Sequence, residues 1–146
     1  MEIERKFLIK KLPENMDSYP SCLITQAYIS RRPSIRIRQA GEKYILTVKG
    51  PGRLSHEEFE LPMEKDSYDS LMKKHDGKII VKRRYRIPYG DHTIELDVFE
   101  APKALCMAEV EFCSEEEALS FEGPDWFGEE VTYDTRYSNA YMAYEL

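Results

Sequence analysis

The sequence predicts an α+β fold that is mainly antiparallel β-sheet. In this prediction eight strands form a closed or nearly closed tunnel barrel with a charged lumen, and a few helices pack outside it. Three observations support it. Apolar and polar residues alternate with a period of two in about eight segments, which is typical of strands. Short turn sequences separate these segments, and short connections favour antiparallel neighbours. About eight strands also suffice to close an antiparallel sheet around a modest interior.

The strand candidates are spread along the whole chain without a linker or low-complexity segment, so we expect one domain over residues 1–146. In chain order they are EIERKFLI, LITQAYIS, SIRIRQ, KYILTVKG, HEEFEL, IIVKRRYRI, HTIELDVF and MAEVEFC. Turn sequences between them include Arg32-Pro33-Ser34, Ala40-Gly41-Glu42, Gly50-Pro51-Gly52 and Tyr89-Gly90-Asp91.

Two helices and a weaker third are predicted between or after the strands. The first covers residues 67–75, with Asp66 as its N-cap and Gly77 just past its end. The second begins at Ser114, in a Ser-Glu-Glu-Glu run that is typical of a capping box. A third helical stretch is predicted over residues 138–144.

Composition narrows the class of protein. The chain has 33% charged and 42% hydrophobic residues, as in a globular domain with a core, and a formal net charge of -6, which argues against a general nucleic-acid binder. Cys22, Cys106 and Cys113 form no CxxC pair, so we expect reduced thiols rather than disulfides or a zinc site. No apolar run approaches the roughly 20 residues of a membrane helix, and none precedes Glu2. We therefore expect a cytoplasmic protein that binds neither nucleic acid nor membranes.

The charged residues are the main indication of function, because on each strand they share the face opposite the apolar residues. A half-exposed antiparallel sheet shows the same alternation, but its polar face usually contains Ser, Thr, Gln and Asn, which are almost missing here. Like-charged neighbours on one face repel each other, so we expect ions of both signs between the strands. Charges of one sign recur two residues apart at Glu2/Glu4, Arg36/Arg38, Lys82/Arg84, Glu95/Asp97 and Glu109/Glu111.

A lumen lined by carboxylates and cations is costly to desolvate unless ligands compensate the charges. Carboxylate oxygens suit Mg²⁺ or Mn²⁺, which prefer oxygen ligands. Arginine and lysine pairs suit phosphate oxygens. The charge pattern therefore indicates a polyphosphate that is bound together with a divalent metal.

An ordered series of motifs carries a family resemblance. The chain opens with Glu-x-Glu-x-Lys at Glu2, Glu4 and Lys6, and then contains IRIR, LTVK, EEFE, KRRY, ELDVF and AEVEF, followed by WFGEEVT and DTRYSN in the tail. Together these motifs resemble the CYTH superfamily, also called triphosphate tunnel metalloenzymes, and especially its short bacterial, inorganic triphosphatase-like members. The resemblance covers nearly the whole chain. It implies an eight-stranded tunnel that binds a triphosphate group and uses divalent metal to hydrolyse or rearrange it.

The resemblance also implies roles for individual residues. By this resemblance, the residues expected to bind metal are the carboxylates Glu2, Glu4, Asp97, Glu109 and Glu111. The residues expected to bind the triphosphate are the cations Lys6, Arg36, Arg38, Lys49, Lys82 and Arg84. Lys6 and Tyr28 are the implied catalytic residues, because a tyrosine beside a lysine can be held in its anionic form and accept a proton from the attacking water. The alternative is a tyrosine that only forms a hydrogen bond at the tunnel mouth. Glu58 and Glu60 match an acidic strand that binds a second metal or positions water.

One departure from the family pattern concerns a histidine. His56 stands where relatives often have arginine, so either Arg53 replaces that arginine or a phosphate contact is missing. His56, His75 and His92 follow no metal-binding spacing, and we expect them at the surface.

Several functions fit this pattern. Hydrolysis of inorganic tripolyphosphate is the first choice. A class IV-like adenylate cyclase would use the same cations to bind ATP and release pyrophosphate, but no segment indicates an adenine pocket. Thiamine triphosphate and nucleoside triphosphates are further candidate substrates. A non-catalytic polyphosphate-binding module would not need the carboxylates, and a purely structural sheet would need neither set of charges. A homodimer is compatible with the sequence but not required by it.

Overall fold

The computed structural model describes residues 1–52 and 54–146, so Arg53 lies outside the described residues. The described residues form ten strands: β1 (Glu2–Ile9), β2 (Ser21–Ser30), β3 (Ser34–Ala40), β4 (Lys43–Lys49), β5 (Ser55–His56), β6 (Glu58–Met63), β7 (Asp76–Tyr89), β8 (His92–Ala101), β9 (Leu105–Glu111) and β10 (Phe127–Glu130). Every strand pair is antiparallel, and the strand order in the sheet is β10-β1-β9-β8-β7-β2-β3-β4-β6, with β5 paired to β1. The eight predicted strands are confirmed as β1 to β4 and β6 to β9.

The sheet curves until its two ends nearly meet. One edge of β1 pairs with β9, and its other edge is shared by two short strands: Glu2 and Ile3 pair with β5, and Phe7 pairs with Glu130 of β10. A single residue, Glu57, separates β5 from β6, the last strand of the sheet. The prediction of a closed or nearly closed barrel is therefore confirmed. We call the junction formed by the start of β1, β5 and the start of β6 the seam.

The apolar face of the sheet packs outside the barrel. Ile94, Leu96 and Val110 are fully buried there, and Phe7 stacks on Phe127 with 4.6 Å between ring centroids. Burial of each large apolar side chain contributes about 1.5–3 kcal/mol. A second cluster, beside the C-terminal helix, is formed by Tyr28, Ile80, Phe99, Met107, Met142 and Ala143.

Helix α1 (Lys65–Met72) packs on β2, β3 and β4, where the Tyr68 hydroxyl donates a hydrogen bond to the Thr25 carbonyl oxygen at 3.3 Å. It begins two residues before the predicted range and ends three residues before its end. Gly77 does not cap this helix: it belongs to β7, with φ at +65°, where a Cβ atom would lie 2.5 Å from the Ala143 carbonyl oxygen. The glycine therefore allows the C-terminal helix to approach the sheet closely.

Helices α2 (Glu115–Ser120) and α3 (Asn139–Tyr144) both begin after a serine N-cap, which was predicted for Ser114 of α2. The Ser114 hydroxyl accepts a hydrogen bond from the Glu117 amide at 3.1 Å, and that of Ser138 accepts one from the Tyr141 amide at 3.1 Å. Helix α2 lies outside the barrel against β1, whereas α3 contacts β7 and β2. Within the described residues, no helix has the length and apolar character needed to cross a bilayer.

Candidate active site

The inward-facing side chains of the barrel enclose a cavity of about 1510 Å³, and its wall is rich in charged groups, so the predicted charged lumen is confirmed. Of the twelve predicted site residues, ten line this cavity, together with the acidic pair on β6. The lining includes Glu2, Glu4, Lys6, Tyr28, Arg36, Arg38, Lys49, Glu58, Glu60, Arg84, Glu109 and Glu111. Their convergence follows from strand register, because each contributes from the inward face of its strand.

Arginines on β3 form a cationic wall without a salt bridge to any carboxylate that the structure describes. Arg36 is 6% exposed; its Nη2 donates a long hydrogen bond of 3.5 Å to the Thr47 hydroxyl, and its buried Nε has no partner among the described residues. Arg38 donates from Nε to the amide oxygen of Gln26 at 2.7 Å. Burial and then the charges of Arg36 and Arg84 lower the pKa of Arg38 to about 9. These two guanidinium groups therefore remain available to a buried anion.

Carboxylates on β1 and β9 form the acidic wall. Glu4 lies directly across the strand pair from Glu111. Burial, and then repulsion from Glu109, raises the pKa of Glu4 to about 8. Burial and the charge of Glu2 also raise the pKa of Glu111. Like-charged residues at directly opposed positions destabilise a sheet, so this wall favours a bound cation.

Glu109 connects the acidic wall to the cations. Its carboxylate lies 3.7 Å from the Lys6 ammonium and 3.9 Å from the Arg84 guanidinium. Burial raises the pKa of Glu109, but Lys6, Arg84 and Lys82 lower it more, so that the net pKa is well below the usual range. The surrounding cations therefore favour the ionised form of Glu109, whose side chain is only 12% exposed.

Two predicted site residues, Lys82 and Asp97, are absent from the cavity lining. Lys82 is fully buried and Asp97 is 2% exposed, and the Lys82 ammonium lies 2.7 Å from an Asp97 oxygen. Arg84 donates two further hydrogen bonds to the same carboxylate, at 2.7 and 2.8 Å. Burial raises the pKa of Asp97, but these two cations lower it below its usual value. The role of Asp97 as a metal ligand stays a prediction; in this arrangement cations contact both of its oxygens.

A histidine and two glutamates meet at the seam. The Glu2 carboxylate contacts Nε2 of His56 and lies 3.1 Å from the Lys49 ammonium. One potential ligand atom each from Glu2, His56 and Glu58 lies within 4.8 Å of the other two. Burial and the neighbouring Glu2 and Glu60 raise the pKa of Glu58 to about 9, and its Oε2 is buried without a hydrogen-bond partner among the described residues. This donor set and its unsatisfied oxygen fit a divalent metal.

The predicted catalytic residues lie in the cavity wall near the C-terminal segment. The Lys6 ammonium donates a hydrogen bond to the Tyr137 carbonyl oxygen at 3.2 Å. Tyr28 is 5% exposed, lines the cavity, and packs against the Tyr144 ring at 5.8 Å between centroids. Across the β2–β3 pair it lies opposite Arg36. The C-terminal segment thus contacts both residues from one side.

Two residues of the site, His56 and Asn139, were not among those predicted from the sequence. His56 is 8% exposed, so the prediction of a surface position was wrong for this residue. Asn139 accepts hydrogen bonds from Gln26 at 3.1 Å and from Lys82 at 3.3 Å, which connects α3 to the wall. The position of Gln26 on the charged face of its strand was an available clue, whereas Asn139 lies outside the strand pattern.

The described residues thus form a nearly closed antiparallel barrel with carboxylates along one wall and, along another, arginines without a salt bridge, an arrangement whose charges suit a polyanion and cations. The chain belongs to the CYTH domain family, whose sequence profile matches residues 1–138. This confirms the resemblance found in the sequence.

Named relatives extend the comparison. A protein of Nitrosomonas europaea named inorganic triphosphatase is 38% identical to this chain over 152 positions, which cover 99% of this chain and 98% of the relative. Another inorganic triphosphatase, from Acetivibrio thermocellus, is 35% identical and is matched over 90% of its length, with 95% of this chain covered. A crystal structure of an inorganic triphosphatase superposes with a TM-score of 0.72 at 35% identity, over 100% of this chain and 96% of the other. The fold is also shared by a crystal structure described as a putative adenylate cyclase from Bacillus halodurans. The two superpose with a TM-score of 0.62 at 21% identity, over 82% of this chain and 84% of the other.

Proposed function

We propose that this protein is a divalent-metal-dependent triphosphatase that hydrolyses inorganic tripolyphosphate to pyrophosphate and phosphate. The observation that carries the proposal is the pair Arg36 and Arg38, one buried and one partly buried, without a salt bridge to any described residue. A short polyanion satisfies such donors, and the names of the relatives support the same substrate.

In this proposal the cations bind the substrate and neutralise its charge. Arg36, Arg38, Lys49 and Arg84 contact the phosphate oxygens, and Lys6 contacts the same group from β1. Phosphoryl transfer depends mainly on positioning and on stabilising charge at the phosphate oxygens. Lys82 supports the site from behind the wall, through Asp97 and through Asn139.

The carboxylates bind the metal. Glu2, Glu4, Glu109 and Glu111 offer oxygen ligands to Mg²⁺ or Mn²⁺, and Asp97, the fifth predicted ligand, holds Arg84 in place. A bound divalent ion polarises phosphate oxygens and lowers the pKa of a coordinated water. For Tyr28, which lies opposite Arg36 across the strand pair, the proposal retains the role of accepting a proton from the attacking water.

Substrate and metal assays test the proposal. Purified protein is incubated with tripolyphosphate, ATP or thiamine triphosphate and with Mg²⁺ or Mn²⁺, and phosphate, pyrophosphate and cyclic AMP are measured. We expect metal-dependent release of phosphate and pyrophosphate from tripolyphosphate. Cyclic AMP from ATP would replace the proposal by the cyclase, and binding without turnover would replace it by a binding module.

A matched pair of variants tests the site. Glu111→Gln removes a cavity carboxylate with little change in volume, whereas Glu100→Gln makes the same change at an exposed position outside the cavity lining on β8. We expect Glu111→Gln to lose at least 100-fold in kcat, in the range seen for removal of one transition-state-stabilising group, and Glu100→Gln to keep full activity. Equal activity of both variants would overturn the metal assignment.

The compartment and assembly belong to the same proposal. Cys22, Cys106 and Cys113 are free thiols, which suits the expected reducing cytoplasm. All of the proposed site residues come from one chain, so activity should not depend on formation of a homodimer.

A further inference from the structure

The seam contains a group of side chains that differs chemically from the rest of the cavity wall. His56 lies on the two-residue strand β5 and pairs directly with Glu2 on β1, and Glu58 begins β6 only two residues later. The His56 side chain is 7% exposed, and its Nε2 points to the Glu2 carboxylate. The three potential ligand atoms come from three different strands and lie within 4.8 Å of one another.

The hydrogen bonds at the seam leave this group incomplete. Glu2 has two cationic or donor neighbours, His56 and Lys49. Glu58 has a buried Oε2 that is without a hydrogen-bond partner in the described part of the chain. Two carboxylates and an imidazole nitrogen that face one another need a shared proton or a cation between them, since carboxylate oxygens can only accept.

We propose that Glu2, His56 and Glu58 form a mixed nitrogen–oxygen metal site that selects transition-metal ions such as Mn²⁺ or Co²⁺ over Mg²⁺. Imidazole nitrogen is a common ligand of first-row transition metals, whereas Mg²⁺ requires oxygen ligands and retains its waters. Glu2 also belongs to the carboxylate group of the proposed active site, so the two sites share one ligand. The proposal adds to the proposed function, but it requires metal binding only and no turnover.

A metal ion at this site would also hold the two ends of the sheet together. Within the described residues the sheet closes through the two-residue pairing of β5 with β1, together with a hydrogen bond from the Glu4 amide to the Leu54 carbonyl oxygen at 3.0 Å. An ion held by β1, β5 and β6 joins the two ends of the sheet directly. Metal binding should therefore slow backbone hydrogen exchange at the seam and leave distant strands unchanged.

Calorimetric titration of the metal-free protein tests the site. His56→Gln removes the nitrogen ligand and keeps a polar side chain, while His75→Gln makes the same change at the end of α1, where the ring contacts the Met72 carbonyl oxygen. All proteins carry Cys113→Ser, so that this exposed thiol cannot bind Co²⁺. We expect His56→Gln to weaken Co²⁺ binding by about 10- to 100-fold and to change Mg²⁺ binding less than about threefold. His75→Gln should bind both ions with the affinities of the parent protein.

Hydrogen exchange provides an independent measurement. Co²⁺ or Mn²⁺ should protect amides in segments 2–4 and 55–58 of the parent protein but not of His56→Gln, and circular dichroism confirms that both are folded. Equal Co²⁺ affinity in the two proteins, or metal protection that persists without His56, would overturn the site. If instead tripolyphosphate hydrolysis with Mg²⁺ is absent while His56-dependent Co²⁺ binding is present, the proposed function fails and the metal site stands.

Discussion

Asp97→Asn should destabilise the protein far more than loss of any single cavity carboxylate. Asp97 lies between Lys82, which is fully buried, and Arg84, which is 7% exposed, and it forms contacts of 2.7 to 2.8 Å with both. Asparagine keeps one oxygen acceptor but carries no charge. The substitution therefore leaves two buried cations. Among the described carboxylates, those of Glu95 and Glu109 then lie nearest to Arg84, at 3.3 and 3.9 Å.

The expected magnitude follows from burial of the group. Removing one partner of a buried ion pair costs about 3–5 kcal/mol, which is a large part of the roughly 5–15 kcal/mol that stabilises a typical domain. For 146 residues, an unfolding entropy of about 2.1 cal/mol/K per residue gives about 0.3 kcal/mol/K. The loss then corresponds to a decrease in Tm of about 10–16 °C.

Urea unfolding and calorimetry measure this effect, with Glu111→Gln as the control. Glu111 faces Glu4 across the strand pair and its pKa is raised, so loss of its charge should leave stability unchanged or increase it. Adding Lys82→Met to Asp97→Asn removes one uncompensated cation and should recover part of the loss. If Asp97→Asn alone costs less than about 1 kcal/mol, the value of a weak exposed pair, Asp97 is not the counter-ion that holds this wall together.

Three further outcomes are expected. Glu130→Gln should lower the free energy of unfolding by about 0.5–1 kcal/mol at pH 7. The hydrogen bond from Arg5 lowers the pKa of Glu130, so the stabilisation is present above pH 4.5 and is lost as the pH falls through the lower folded-state pKa. Urea unfolding at several pH values measures this dependence. Arg36→Gln should weaken tripolyphosphate binding at least tenfold by calorimetry, and should raise the Tm of the ligand-free protein, because it relieves crowding among buried cations. Gly77→Ala should cost clearly more than Gly90→Ala, although both have φ near +60°, because a Cβ atom at Gly77 meets a carbonyl oxygen of α3 at 2.5 Å and one at Gly90 meets no atom within 4 Å.

A different experimental result would contradict each of these three predictions. A Glu130→Gln deficit that did not shrink as the pH was lowered below 4.5 would show that the loss does not come from ionisation. Unchanged tripolyphosphate binding in Arg36→Gln would remove Arg36 from the cationic wall that carries the proposed function. Equal costs at the two glycines, about 1–2 kcal/mol each from the left-handed conformation alone, would mean that α3 moves away to accept the added methyl group.

The barrel strands were predictable because the period of two persists in every one of them. The apolar residues of β8, such as Ile94 and Leu96, pack into the outer core, while Glu95 between them faces the cavity. A one-residue slip would reverse this arrangement along the whole strand. The pattern therefore determines both the strands and the residues that line the lumen.

A closed or nearly closed barrel was predicted, but the strand pairing that closes it was not predictable from the same pattern. HEEFEL has the alternation of one strand, but in the structure His56 belongs to β5 and pairs with β1, while Glu58 continues into β6 and pairs with β4. The change of partner occurs at Glu57, whose carbonyl oxygen accepts a hydrogen bond from the Gly50 amide at 2.8 Å. Because β10 has no apolar alternation, its pairing with β1 likewise depends on tertiary contacts.

Two features of the site could not be read from the strand pattern: whether a side chain reaches the lumen, and which distant residues it contacts. Alternation assigns Lys82 and Asp97 to the inward face, but it does not distinguish a side chain that reaches the lumen from one that is covered by its neighbours. The β7–β8 register shifts between Val81 and Lys82, and Asn139 of α3 lies against the Lys82 ammonium. His56 and Glu2 are 54 residues apart in sequence, so no local spacing motif can reveal their contact.

The charges of the cavity wall are better explained by binding than by stability. Glu4 directly opposes Glu111, and Arg36 lies two residues from Arg38 on the same face, so each wall repels itself. A sequence selected for stability alone would interleave the two signs, as Lys82, Asp97 and Arg84 do where β7 pairs with β8. Segregation of the signs lowers the stability of the barrel, and in the proposed function a ligand that contains both phosphate oxygens and a divalent ion compensates both walls at once. On this proposal the free energy lost in the unliganded protein is regained on binding, which concentrates affinity on ligands that carry both charges.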